Sequence, residues 1–415
     1  MIGLGVKRWL VILTVAAAML GVGLVFVVMW LRAEGWISAE FFKTLSLIGI
    51  RNQSRIVMTL IPGAILFLVA IIKLTRNLIE PFRQPNEDIA ESLVRFRQRG
   101  RGPRIVAIGG GTGMPSLLRG LKAHTSNITA IVTVADDGGS SGRLRREYGL
   151  LPPGDFRNNI AALAKDEGLM TQVIQYRFGT GISADQPSQL GGHAFGNLLI
   201  AALTGITGSF DEALLNMDKV LAMRGRVVPS TIGEVTLVAD VEKDGQIQRI
   251  VGESAIPKTG GRIQRVMLEG KRLRGYPPAL RAILQADMVV MGPGSLFTSV
   301  LPNLLVPDIA NALLYTRAKR VYVCNVATQM GETDAFTVSD HVRAIQQHVG
   351  RDCLDYVIAN SAESIPSPDV MGRTVFVQPD SIEHAQLILD NLTDTERPWR
   401  HDSKKVAEII IELLQ

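Results

Sequence analysis

Only two cysteines, Cys324 and Cys353, occur in 415 residues, and neither has a paired spacing or a neighbouring histidine cluster. A disulfide framework and a cysteine zinc site are both disfavoured, and reduced, cytosol-facing thiols are the simplest reading. The glycine-rich stretches also lack the two common nucleotide fingerprints. Counted from Gly109, the third glycine of a dinucleotide motif is replaced by Met114; counted from Gly111, it is replaced by Ser116. Ser116 and Leu117 stand where a phosphate-loop Gly-Lys-Ser/Thr would continue. An ordinary NAD enzyme and a P-loop NTPase are therefore disfavoured. A basic nucleic-acid module is missing too. The net charge of +5 is unevenly spread: residues 1–104 hold 14 Lys/Arg against 6 Asp/Glu, leaving 30 against 33 in the rest. No nucleic-acid partner is expected for the larger part.

The hydrophobic fraction of 47% is high for a chain with 20% charged residues, and the N-terminal region explains the surplus. Trp9 to Leu31 runs for 23 residues without a charge, long enough at about 1.5 Å per residue to cross the hydrocarbon layer. Lys7 and Arg8 give it the basic start of a signal peptide, but the run is too long for one and a second follows, Ile56 to Ile72 with Pro62 and Gly63 inside it. A transmembrane helical hairpin over residues 1–80 is expected. Lys7, Arg8, Lys73, Arg76 and Arg83 favour cytoplasmic ends for the pair, whereas Arg32, Lys43, Arg51 and Arg55 in the intervening loop argue against its export. This places the protein at the inner (plasma) membrane as a multi-pass chain. Residues 81–103 read as a basic linker, with Arg95, Arg97, Arg99 and Arg101 available to membrane lipid or to solvent.

From residue 104 to 415, β-branched runs alternate with helical patterns, which indicates an α/β fold with a mainly parallel sheet. The clearest strands are Arg104 to Ile108, Ile128 to Val134, Met288 to Met291 and Arg320 to Asn325. Each is followed by a polar, glycine-rich turn: Gly109 to Gly113, Asp136 to Gly142, Gly292 to Ser295, and Ala327 to Thr333. Ligands of open α/β sheets bind beyond the carboxyl ends of the strands, so four such turns define one crest.

Gly109 to Gly113 leads into a helix near Pro115, and a helix start presents N–H groups to a phosphate. Asp136 and Asp137 end the second strand, where an acidic residue meets a ribose hydroxyl, holds a metal, or simply caps a turn. Asp155 is placed to cap a helix, and Arg157 and Asn158 follow it. Gly192, His193 and Asn197 precede the apolar helix Leu198 to Leu203; a histidine there faces a ligand or is buried as a structural group. Val228 to Thr231 reads as a polar turn. Glu234 to Val241 and Gln246 to Val251 flank Asp244-Gly245 as a β-hairpin arm that covers the site or pairs with a partner. Asp402 is placed to cap the last helix, Lys404 to Leu414, beside Arg400 and His401.

Taken together, the turns Gly109 to Gly113, Asp136 to Gly142, Pro152 to Asn158, Gly192 to Asn197, Gly292 to Ser295 and Asn325 to Thr333 resemble the YvcK/CofD-like family of gluconeogenesis factors and 2-phospho-L-lactate transferases. The run Asp136-Asp137-Gly-Gly-Ser-Ser-Gly-Arg143 followed by Pro152-Pro153-Gly154-Asp155 is similar to the gluconeogenesis-factor branch. The resemblance implies a Rossmann-like three-layer domain that binds a nucleotide sugar, UDP-N-acetylglucosamine in that branch, and a role in cell shape and wall-precursor supply during gluconeogenic growth. It further implies that Gly110, Gly111, Thr112 and Gly113 cradle a diphosphate with Asp136 and Asp137 nearby, that Asn197, Gly294, Ser295 and Asn325 line the crevice, and that Arg400 closes on the ligand. Pro366 to Phe376 is short and lacks the tyrosine common in the branch, and the membrane segment is an addition to it. The alternative is an enzyme moving a phospholactyl group from a nucleotide diphosphate to an alcohol, with Asp137 and Asp155 as the catalytic candidates and as the candidate ligands of Mg²⁺; no other cofactor is indicated. Cell-envelope proteins and a second copy of the chain are the remaining expected partners.

Overall fold

The structure is a computed structural model. It describes residues 6–38, 40, 41, 65, 67, 69, 102–165, 168–179, 181–183, 186–271, 273–361 and 375–415. The chain divides into two compact units, residues 1–97 and 98–415. In the first, α1 spans Val6–Ala33 and contains the uncharged run, with Met19, Phe26 and Trp30 exposed along it. Among the described residues, no single helix combines the length and hydropathy of a membrane span. The second expected run lies outside the described residues except at positions 65, 67 and 69.

The second unit is built on a seven-stranded sheet. Its strands in chain order are β1 (Ile105–Gly109), β2 (Ile128–Val132), β5 (Arg226–Pro229), β9 (Met288–Met291), β10 (Lys319–Val323), β11 (Tyr356–Asn360) and β12 (Gln386–Asp390); β3 (Gly181–Ser183) and β4 (Gln186–Pro187) form a separate two-stranded ribbon. The spatial order is β12-β11-β10-β9-β1-β2-β5, and every neighbouring pair is parallel. Every residue of β1 and β9 is buried, as expected of parallel strands covered on both faces. Ile105 pairs with Ile128 on one side and Met288 on the other; the β1/β9 seam is wholly apolar, and Thr129 is the one polar residue in the β1/β2 seam. Full burial of each such side chain contributes about 1.5–3 kcal/mol.

The helices are α2 (Gly113–Leu121), α3 (Gly139–Tyr148), α4 (Pro153–Leu163), α5 (Leu169–Gln175), α6 (Phe195–Thr207), α7 (Phe210–Leu221), α8 (Pro277–Gln285), α9 (Pro307–Tyr315), α10 (Val338–Val349) and α11 (Ser403–Glu412). A π-helical turn, Leu296–Val300, runs into a short helical turn, Leu301–Leu304, after β9. Gly120 lets α2 meet the start of α11: a Cβ there would collide with the Ser403 carbonyl. Asp402 caps α11 as expected, accepting from Lys404 N at 2.8 Å and Lys405 N at 3.3 Å. Cys324 and Cys353 are both free and buried.

Growth of the sheet reverses at its centre. From β1 the chain proceeds outward through β2 to β5, then returns to the other side of β1 with β9 and continues through β10 and β11 to β12. The β1/β9 seam is therefore the topological switch point, where the connections leave a crevice at the carboxyl edge.

The arm differs from the expected hairpin. It has three antiparallel strands, β6 (Val235–Lys243), β7 (Gln246–Val251) and β8 (Arg262–Gly270), in the order β7-β6-β8. A register shift at Asp240/Val241 brings Ile263 and Val266 of β8 both to buried positions, three residues apart. That bulge breaks the alternation of period two by which the strand would be read. The expected polar turn at Val228 to Thr231 is corrected as well, because Val228 and Pro229 complete β5.

Candidate functional site

Because all seven strands point the same way, the turns after β1, β2, β9 and β10 open on one edge. Those of β1 and β9 meet across the switch point: a Cβ on Gly113 would stand 2.6 Å from the Pro293 carbonyl oxygen and 2.8 Å from its carbon. Gly111 holds a φ of +62°, a left-handed conformation that favours glycine. Asn303 Nδ2 donates to Gly109 O at 2.9 Å. Asn325 clamps Gly294, accepting from its N–H at 3.1 Å and donating to its carbonyl at 2.9 Å. Gln329 accepts from Asn325 Nδ2 at 3.1 Å and donates to Ser295 Oγ at 2.9 Å. Gly294, Ser295 and Asn325 do converge, but the Asn325 amide is engaged in shaping the turn.

Four helix N-termini gather at this edge. The N-caps Thr112 of α2, Gly138 of α3, Pro152 of α4 and Ala194 of α6 have no side-chain hydrogen bond into their own helices. The termini are tied to one another instead. Asp155 Oδ2 accepts from Gly111 N at 2.8 Å, joining α4 to the β1 turn. Ser141 Oγ accepts from Gly154 N at 3.0 Å, joining α3 to α4. Ser140 Oγ lies 3.0 Å from His193 Nδ1 and accepts from Asn197 Nδ2 at 3.0 Å, joining α3 to α6. Arg157 donates to Asn197 Oδ1 at 3.2 Å and to Asn158 Oδ1 at 2.8 Å. Free N–H groups and aligned helix dipoles at such termini attract an anion. Asp155 thus departs from the expected cap. It is the third residue of α4, and its carboxylate turns toward the β1 turn.

The paired aspartates play different parts. Asp136 Oδ1 accepts from Gly138 N at 2.9 Å, the simple turn-capping role. Asp137 Oδ1 accepts from Ser254 N at 2.9 Å, and a Cβ on Gly252 would stand 2.6 Å from Asp137 Oδ2. The turn between β7 and β8 is therefore seated on the crest, and a Cβ on Gly331 would strike the Pro257 carbonyl on its other side. Through this turn the arm reaches the site, one of its two expected roles.

Two carboxyl groups not singled out in the sequence join the cluster. Glu253, in the arm's turn, is pushed up to about 8 by burial, then by the charges of Asp136, Asp137, Asp155 and Glu332. Glu332 accepts from Thr298 Oγ1 at 3.0 Å, its other oxygen has no hydrogen-bond partner, and burial raises its pKa. Burial also raises Asp136 and pushes Asp155 up to about 6, the Gly111 N–H opposing the rise. The signal for Glu253 was available in Gly252-Glu253-Ser254, a turn directly after a strand. Among the described residues, no three His, Cys, Asp or Glu side chains converge as a metal site. Magnesium requires only one or two carboxylates where phosphates supply other ligands, and Asp137 and Asp155 each hold one oxygen outside the backbone bonds just described.

His193 is buried and kept neutral by burial and by Arg143. Arg400 is exposed in the segment after β12. His401 Nε2 donates to Cys324 O at 2.9 Å, which brings that segment to the end of β10 beside Asn325. A cleft of about 530 Å³ lies elsewhere: Arg104, Asn127, Arg226, Asp218 and Arg281 line it at the amino edge of the sheet. Helix N-termini and the glycine turns are at the other edge, where backbone N–H donors of the kind that attract an anion collect.

Comparison with known proteins agrees with this geometry. The family described as 2-phospho-L-lactate transferase CofD matches residues 105–409, nearly the whole second unit. The chain belongs to the CofD-like family. Within it, a gluconeogenesis factor of Bacillus subtilis is 44% identical over 327 residues, 76% of this chain and 99% of that protein. A Nostoc sp. relative is 41% identical over 99% of this chain and 91% of its own length, N-terminal unit included. The crystal structure of a UPF0052-family protein from Bacillus halodurans has 43% identity and a TM-score of 0.68, covering 74% of this chain and 99% of that one. This member of the CofD-like family therefore shares the Rossmann-like domain of the gluconeogenesis factors.

Proposed function

We propose that this protein is a membrane-tethered gluconeogenesis factor whose crest binds a nucleotide sugar, UDP-N-acetylglucosamine, and couples it to cell shape and wall-precursor balance under gluconeogenic growth. The observation that carries the reading is the meeting of four helix N-termini with the Gly110–Gly113 and Gly292–Ser295 turns at the switch point. A diphosphate has two negative groups to set against those N–H donors. Arg400, exposed in the segment after β12 that His401 ties to the end of β10, is the group proposed to close on the ligand. Tethering rests on the 23-residue uncharged run inside α1, with the second unit facing the cytoplasm. Calorimetry on the full-length protein in detergent, titrated with UDP-N-acetylglucosamine, tests the binding. An absence of heat up to millimolar ligand would refute it, and recovery of the protein in a carbonate-washed soluble fraction would refute the tether.

A second reading is favoured by the family's own description and by the carboxylates at the crest: transfer of a phospholactyl group from a nucleotide diphosphate to an alcohol. Asp137 and Asp155 would hold Mg²⁺, which neutralises phosphate charge when bound. Asp155 would position the β1 turn through Gly111. Incubation with lactyl-diphosphoguanosine and a deazaflavin separates the readings, since only the enzyme releases GMP.

A further inference from the structure

Arg143 and Arg177 hold the Gly191–His193 turn, and Arg157 sits beside the start of α6 that follows it. Arg143 of α3 donates from Nη2 to Gly191 O at 2.8 Å, and Arg177, beyond α5, donates from Nη1 to Gly192 O at 2.6 Å. Arg157 of α4 is 7% exposed, holds Asn158 and Asn197, and has no acceptor for its Nε. Among the described residues, none of the three forms an ion pair, although Asp155 and Asp136 lie near enough to act on Arg157 through space. A guanidinium carries five N–H donors, so carbonyl and amide acceptors occupy only a minority of the fifteen or so available. Like charges assembled in a partly desolvated place are costly unless something opposite in charge joins them. The charge of Arg177 acts on Arg157, and those of Arg143 and Arg177 both act on His193. His193 contributes no charge of its own. Its Nδ1 is engaged with Ser140, and the acid acting on it, Glu147, is exposed.

We propose that Arg143, Arg157 and Arg177 form an oxyanion subsite, for a phosphate or a carboxylate, distinct from the diphosphate cradle of the glycine turns. The subsite rests on the reading of the crest as a ligand site and extends it: the ligand, or a second ligand bound beside it, carries a negative group toward α3, α4 and α6. Planar guanidinium forks match phosphate and carboxylate oxygens in pairs.

The test is calorimetry on full-length protein in detergent with two probes, inorganic phosphate and malonate, on wild type, Arg143→Gln and Arg177→Gln. Arg177 is exposed, so its variant leaves the fold intact even where Arg157 variants do not. At least one probe is expected to bind, and each substitution to weaken it by about tenfold or more. Binding of phosphate alone assigns a phosphate group, and of malonate alone a carboxylate. No binding of either probe, or equal binding by wild type and both variants, overturns the subsite. UDP-N-acetylglucosamine titrated in parallel separates the two readings: its failure to bind, with an arginine-dependent oxyanion response intact, removes the nucleotide-sugar reading and leaves the subsite standing.

Discussion

Asp155 offers the sharpest test of how the crest is held. Its pKa stands at about 6, against the model-peptide value of 3.8, because burial disfavours the charged form more than the Gly111 N–H at 2.8 Å supports it. Between those two values the folded protein holds a proton that the unfolded chain has released, so stability falls as pH rises through the window and the full penalty applies above about 6. A displacement of about two units corresponds to about 3 kcal/mol. Asparagine cannot ionise and retains an oxygen for Gly111, though a neutral acceptor gives up about 1 kcal/mol of the charged bond. The Asp155→Asn protein is therefore expected to be more stable than wild type by about 1–2 kcal/mol at pH 7, a rise of a few degrees in melting temperature, and no more stable at pH 4. Asp155→Ala leaves the Gly111 N–H without its acceptor, loses about 1–3 kcal/mol and offsets the gain. Thermal unfolding followed by circular dichroism at pH 4, 5.5 and 7 measures all three proteins. A lower melting temperature for Asp155→Asn at pH 7, or an equal gain at pH 4 and pH 7, refutes the reasoning.

Gly113→Ala sets a Cβ against backbone atoms of Pro293, so the β1 and β9 turns must part; a loss of about 1–3 kcal/mol in chemical denaturation and loss of nucleotide-sugar binding are expected. Glu253→Gln removes a carboxyl whose folded pKa of about 8 makes stability decline from pH 5 toward pH 8; the variant's melting temperature is expected to be flatter across that range, and an unchanged slope counts against the assignment. His401 is held down to about 4 by burial while its Nε2–H bonds Cys324 O. Its contribution is complete above the ordinary histidine value and is lost as pH falls toward 4, about 3 kcal/mol at most. His401→Gln, which retains a donor, is expected to lose less stability than wild type between pH 7 and pH 4.5 in a urea titration.

The central strands were legible because burial on both faces leaves an uninterrupted apolar run, as in Met288–Met291, and because each run ends in glycines. The outer strands were less so. β12 is an edge strand with no fully buried residue, and β5 has four residues and ends in proline. β8 was hidden by its bulge. At the site, sequence located the glycine turns after β1, β2, β9 and β10 but not the β7–β8 turn seated on them, and could not assign what each polar side chain does there. Asn325 and Asp137 read as ligand-facing groups, yet their partners, Gly294 and Ser254, lie 31 and 117 residues away in the chain. Glu253 entered the site only because the arm folds back onto the β2 turn, a contact that no local pattern encodes.

That contact explains how an edge rich in acid can be built for an anion. Asp136, Asp137 and Asp155 each accept a backbone N–H, from Gly138, Ser254 and Gly111, so their first role is to fasten turns. Glu253 makes no such bond, and its pKa near 8 leaves it mostly protonated at neutral pH. A protonated carboxyl donates a hydrogen bond and repels nothing. The burial that raises Glu253 thus removes one negative charge from the edge where helix N-termini collect, which favours the proposed anionic ligand. An incoming anion would raise that pKa further by Coulomb repulsion, so binding and proton uptake are coupled and affinity weakens as pH passes above 8.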